Sequence, residues 1–138
     1  MEITINFSYV NWIAVLVATI ATFLLGGIWY SPALFGKPWA AANGIDLSGV
    51  RQRNIALMFF LAFLLHWLSA SLLAAILGPN ATISYALNVG ALVGAFFVMT
   101  SIGVNYIFEN RGVKLWLING GYHIVSFMLM AALIARLT

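Results

Sequence analysis

Apolar positions fill four long stretches of this chain, and the polar positions gather between them. The stretches run from about Trp12 to Trp29, Ile55 to Leu77, Ile83 to Ile107 and Leu115 to Ala135. Each is close to the roughly 20 residues that an α-helix needs to cross a bilayer. None contains Asp, Glu, Lys or Arg. The pattern therefore predicts an all-α fold, a four-transmembrane-helix bundle, with residues 1–138 forming one integral membrane domain.

The segments between the spans differ in kind. Residues 31–54 are the longest polar stretch, entered through Ser31-Pro32 and carrying Phe35, Lys37, Pro38 and Trp39. Rings beside a basic residue suit a segment lying in the membrane interface, and Pro38 argues against one long helix there. Asn43-Gly44 reads as a turn, and Asp46 or Ser48 is the expected cap of the second span. Gly78-Pro79-Asn80 is a tight uncharged turn, and Phe108 to Lys114 is a short loop with Glu109, Arg111 and Lys114. Glu109 follows a helix C-terminus, where the dipole disfavours an anion. A structural ion pair with Arg111, Lys114, Lys37, Arg51 or Arg53 is expected.

Composition agrees with lipid as the solvent. Only 7% of residues are charged and 64% are hydrophobic, more apolar surface than a soluble chain of 138 residues can hide. The pI of about 9.6 suggests nucleic acid at first sight, but six Lys/Arg produce it and all flank spans. No nucleic-acid partner is expected. Lys37, Arg51, Arg53, Arg111 and Lys114 share one side, and Arg136 alone marks the other. The positive-inside rule then puts both termini outside, which in a bacterial inner membrane means the periplasm. Met1 to Asn11 has no basic residue and no small-residue cleavage site, so the first span is expected to be retained as an anchor.

Small residues mark helix contacts. Gly26 shares a face with Thr19 and Thr22, and Ala86, Gly90 and Gly94 form a small-xxx-small row. Sliding the first span onto the third matches Asn11 with Asn88, Ala18 with Ala95 and Gly26 with Gly103. Sliding the second onto the fourth matches His66 with His123 and Ser69 with Ser126. These matches read as two pseudo-repeated helical hairpins.

Several motifs carry a resemblance. Asn11-Trp12, Trp29-Tyr30-Ser31-Pro32, Phe35-Gly36 and Trp39 form the first, Tyr106 to Arg111 the second, and Gly121-Tyr122-His123 the third. With them the chain resembles, over nearly its whole length, a family of small four-helix membrane proteins, mostly bacterial, catalogued as domain of unknown function 1761. The resemblance implies four membrane helices without a soluble domain. It implies no activity, substrate or catalytic residue.

The chemistry has to come from the polar residues inside the spans. His66 is about 11 residues into the second span and His123 about 8 into the fourth, so roughly 16 and 12 Å deep. An ionisable residue at that depth is a functional candidate, against the plainer reading of polar glue between helices. Asn119, His123 and Ser126 share a face of the fourth span, and His66 with Ser69 repeats the spacing on the second. These five are expected to form one polar layer. The chain has no Cys, and its three carboxylates lie outside the spans, so no metal site is expected. Ser69 and Ser126 follow a His by three residues but have no acid and no nucleophile elbow, so hydrolysis finds no support.

Three functions compete. One is a small-molecule or ion binding or transport module built on the polar layer, completed by homo-oligomerisation. One is a structural or accessory subunit docking another membrane protein. One is a redox protein with a haem held between His66 and His123. The topology is the most direct of these expectations to check, because the chain is Cys-free. In intact cells an impermeant thiol reagent should label Asn80→Cys and spare Gly44→Cys; the opposite pattern reverses the orientation.

Overall fold

The computed structural model describes residues 4–45 and 54–138. Asp46, Ser48, Arg51 and Arg53, expected to cap a helix or join an ion pair, lie outside the described residues. Four helices are long and apolar enough to cross a membrane: α1 (Trp12–Trp29), α3 (Ile55–Leu77), α4 (Ile83–Phe108) and α5 (Val113–Leu137). A short helix, α2 (Gly36–Asn43), lies between α1 and α3, and no strand occurs among the described residues. The third long helix runs one residue past its expected end, to Phe108, and the fourth takes in Val113 and Lys114 at one end and Arg136 and Leu137 at the other.

Local chemistry sets the ends. The Asn11 side-chain oxygen accepts from the N–H groups of Ile13 and Ala14 at 3.1 and 3.2 Å, capping α1. Its amide donates to the Leu137 carbonyl at 3.0 Å, which ties the start of α1 to the end of α5. The cap of α3 is Asn54, whose oxygen accepts from Leu57 N–H at 3.0 Å, in place of the expected Asp46 or Ser48. Asn54 is the residue directly before the first helical position, where a cap must stand to reach the third N–H. Pro38 is tolerated because it falls in the first turn of α2, where its missing N–H has no partner to lose. Gly44 closes that helix in the left-handed conformation, φ 62°.

The last helix is the hub. α5 packs along the length of α4, against α1, and more lightly against α3, which leans on α1. At the end holding the termini, small side chains let the helices close up: Val15, Ala18, Ala70, Ala74, Ala86, Met130, Ala131 and Ile134 form a buried cluster. Toward lipid, Phe59, Phe60, Phe96, Phe97 and Phe108 stand exposed. That distribution suits a protein whose outer surface meets hydrocarbon.

α4 departs from regular geometry in its middle. Val93–Met99 forms a π-helical stretch, which takes in one extra residue. The face that α4 turns to α5 consequently runs Gly90, Gly94, Met99, Gly103, with one interval of five among intervals of four. A methyl group on Gly90 would strike the Phe127 carbonyl, and one on Gly94 would sit 2.6 Å from the Ile124 Cα. Met99 fills the space left by Gly120, and the Trp116 indole fills that beside Gly103. The indole N–H donates to the Met99 carbonyl at 2.8 Å. Backbone contact of this kind gives dispersion energy that lipid tails cannot supply.

The contact is testable. Gly94→Leu should lower the thermal midpoint in detergent, since overpacking typically costs about 1–3 kcal/mol and a backbone neighbour cannot step aside. Gly27→Ala should be tolerated, because nothing lies within 4 Å of the added Cβ. Equal midpoints for Gly94→Leu and the parent chain would mean that α4 and α5 do not touch there.

Candidate functional site

Polar groups inside the span need internal partners, and the structure resolves them into two groups at different heights. The lower group lies where α1 ends. The Tyr30 hydroxyl donates to the Asn119 side-chain oxygen at 2.7 Å, and the Asn119 amide donates to the Tyr106 hydroxyl at 2.6 Å. The Trp29 indole donates to the Ile118 carbonyl at 3.1 Å. These bonds join α1, α4 and α5 at one end. Burial pushes the Tyr30 phenol above its ordinary range, with the Tyr122 and Tyr106 phenols adding to it, so Tyr30 acts as a neutral donor.

Just outside this group, Arg111 meets Glu109 with Nε to Oε2 at 2.6 Å. The same guanidinium donates to the Asn43 side-chain oxygen at 2.9 Å and stands over the Tyr106 ring at 5.6 Å. Among the described residues Glu109 has this one ion-pair partner, and Lys37 is not in the pair. Both side chains are about half exposed, so the pair adds little stability alone. Its place at the end of α2 makes it a tie between the two polar loops.

The upper group centres on Tyr122, a residue the sequence reading did not select. His66 Nδ1 lies 2.7 Å from the Ala62 carbonyl, and Nε2 lies 2.8 Å from the Tyr122 hydroxyl. A carbonyl can only accept, which assigns the proton to Nδ1. Nε2 of the neutral ring is then the acceptor, and the Tyr122 hydroxyl donates to it. The Thr22 carbonyl, 3.4 Å from that hydroxyl, offers a second, longer acceptor. Gly26 leaves the room: a Cβ there would be 3.1 Å from the Tyr122 oxygen.

Two clefts flank this hydrogen bond. One, of about 460 Å³, is lined by Phe23, Gly26, Gly27, Tyr30, Phe59, Ala62, His66 and Tyr122, and extends toward the end where α1 stops. The other, of about 300 Å³, is lined by Leu65, His66, Ser69, Val98, His123, Ser126, Phe127 and Met130, and extends toward the termini. His66 and Ala62 belong to both. Both volumes are in the range of small-molecule sites.

Four of the five residues expected in one layer, His66, Ser69, His123 and Ser126, thus line one cleft. Asn119 does not join them. It lies one turn nearer the other end of α5, where two tyrosine hydroxyls claim both ends of its amide. The His123 ring meets Tyr122 edge-on, with centroids 5.1 Å apart. The Ser126 hydroxyl is buried without any hydrogen-bond partner.

The donor set does not fit a haem held by both histidines. An axial ligand needs a free ring nitrogen, and both nitrogens of His66 are engaged. No group of three or more His, Cys, Asp or Glu that could hold a metal occurs among the described residues.

Four apolar helices with buried polar side chains at mid-span define a small polytopic membrane protein. The chain belongs to the family described as "Protein of unknown function (DUF1761)", whose model matches residues 13–135 and so takes in nearly all of the four helices. No curated protein and no solved structure gives a match to the chain.

The hydrogen bond at the centre has a measurable consequence. Tyr122→Phe leaves His66 Nε2 without a donor at depth and should lower stability by about 1–3 kcal/mol, read as a fall in the thermal midpoint in detergent. His123→Asn should shift the midpoint far less. A Tyr122→Phe midpoint equal to that of the parent chain would mean that the bond is not formed.

Proposed function

We propose that this protein is a small-molecule binding and transport module, in which the His66–Tyr122 pair stands between two clefts that open toward opposite membrane faces. The observation that carries the reading is the shared wall. His66 lines both clefts, and its bond to Tyr122 crosses the span from α3 to α5 where the two meet. His66 is 11 residues from either end of α3, roughly 16 Å, which is about the middle of a 30 Å hydrocarbon core. A wall at mid-depth with a cleft on each side is the minimum a transporter needs for alternating access.

The Lys/Arg asymmetry supports an orientation in which the Lys37 and Arg111 loops face the cytoplasm and the termini face outward. The cleft beside Gly27 then opens inward, and the cleft beside Ser69 outward. Neither cleft is lined by a charged side chain, which favours an uncharged solute over an ion.

Cysteine accessibility tests the arrangement. In intact cells, Ser69→Cys should react with an impermeant reagent, and Gly27→Cys should react only after the membrane is opened. Tyr122→Phe should weaken this partition and let the reagent reach Gly27→Cys from outside. Labelling of both positions from one face in the parent background, or of neither after permeabilisation, would rule the reading out.

A further inference from the structure

We propose that a third cleft, between the end of α4 and the start of α5, binds an anionic phospholipid, with the lipid phosphate on Arg111 and an acyl chain against Gly103 and Trp116. This cleft shares no lining residue with the two beside His66. Its volume is about 240 Å³, below the range of small-molecule pockets and suited to a length of hydrocarbon chain. Gly103 leaves a notch beside the Trp116 indole, and Ile107 and Val113 form the outer edge. Those two are 78% and 68% exposed, so the cleft opens on the surface that meets lipid.

Its height in the membrane fits the same ligand. α4 ends at Phe108 and α5 begins at Val113, so the chain leaves the bilayer between them. At 1.5 Å per residue, Gly103 lies roughly 7 Å inside that end and Trp116 roughly 5 Å. The cleft therefore starts at headgroup level and runs into the upper hydrocarbon, as a lipid chain does below its phosphate. Arg111 lines its mouth. The positive-inside rule accounts for a cation on this side, but not for its place at a cleft between two spans. Of the five N–H donors of a guanidinium, the one on Nε goes to Glu109 and one on Nη1 goes to Asn43. The others have no partner among the described residues, and a guanidinium fork matches phosphate oxygens. The Glu109 carboxylate opposes an anion, but with Lys114 counted the loop stays net positive. Anionic headgroups bind at basic pockets of this kind between membrane helices.

Native mass spectrometry of the full-length protein in detergent, with dioleoyl phosphatidylglycerol and dioleoyl phosphatidylcholine in competition, tests the site. The chains are identical, so only the headgroup discriminates. One cation near a membrane surface corresponds to about a fivefold preference, and the parent chain should favour phosphatidylglycerol by at least that. Arg111→Gln should fold, since its half-exposed pair adds little stability, and should bring the preference down about fivefold. Glu109→Gln should raise it. Gly112→Phe, at a position where an added Cβ meets nothing within 4 Å, should fill the mouth and reduce binding of both lipids. Equal binding of the two lipids by the parent chain overturns the proposal, as does a preference indifferent to Arg111→Gln. A preference lost alike in Arg111→Gln and Glu109→Gln would make the pair a structural clamp only. Displacement of the bound lipid by millimolar inorganic phosphate would assign the site to a soluble anion and remove the lipid.

Discussion

The Tyr122 hydroxyl is held at mid-span, where a polar group needs an internal partner, and the imidazole of His66 is the acceptor of its hydrogen bond. Much of the surrounding structure follows from that bond. His66 can accept only because its other nitrogen donates to the Ala62 carbonyl, so a turn of α3 fixes the tautomer. Tyr122 reaches across beside Gly26 on α1, where a Cβ would stand 3.1 Å from its oxygen. The ring then leans on Trp29, Tyr30 and His66, which brings α1, α3 and α5 to one point. Clefts remain on either side of that bond, one bordered by α1, α3 and α5 and the other by α3, α4 and α5.

The two ends of the protein are closed by different means. At the end of the termini, alanines and Met130 pack, and the Asn11 amide reaches the end of α5. At the other end, tyrosine, tryptophan and asparagine side chains exchange hydrogen bonds between α1, α4 and α5, and Arg111 joins the loops. Between them α4 and α5 touch backbone to backbone along glycines, a contact kept in phase by the π-helical stretch. A regular helix would have rotated Met99 and Gly103 away from α5. The extra residue returns them, and functional membrane helices often carry irregularities of this kind.

Much of this was legible in the sequence. Hydropathy marked out the four long helices, because in lipid a spanning segment must be apolar for its whole length and satisfy its own backbone. Asn119, His66, Ser69, His123 and Ser126 stood out as polar residues at depth. Their division into two groups did not, because it depends on partners contributed by other helices. Asn119 differs from His123 by one turn, and only the placement of Tyr30 and Tyr106 decides which cluster it enters. Tyr122 was passed over although a signal was present. Tyrosines of membrane helices belong at the interfaces, and one beside Gly120-Gly121 in the middle of a span needs a buried partner. The π-helical stretch left no mark in the hydrophobic pattern, since lipid-facing Phe96 and Phe97 suit either geometry. Asn54 as the cap of α3 was not distinguishable from Asp46 and Ser48 upstream, because all three residue types cap about equally well.

The direction of one proton, from Tyr122 to His66, is read directly by solid-state ¹⁵N resonance of the histidine rings in lipid bilayers. With ¹⁵N-labelled histidine, His66 should show a protonated Nδ1 and an unprotonated Nε2 whose shift is that of a hydrogen-bond acceptor. In Tyr122→Phe the Nε2 signal should move to the value of a free nitrogen. A His66 ring protonated at Nε2, or an Nε2 shift indifferent to the Tyr122 hydroxyl, would contradict the account.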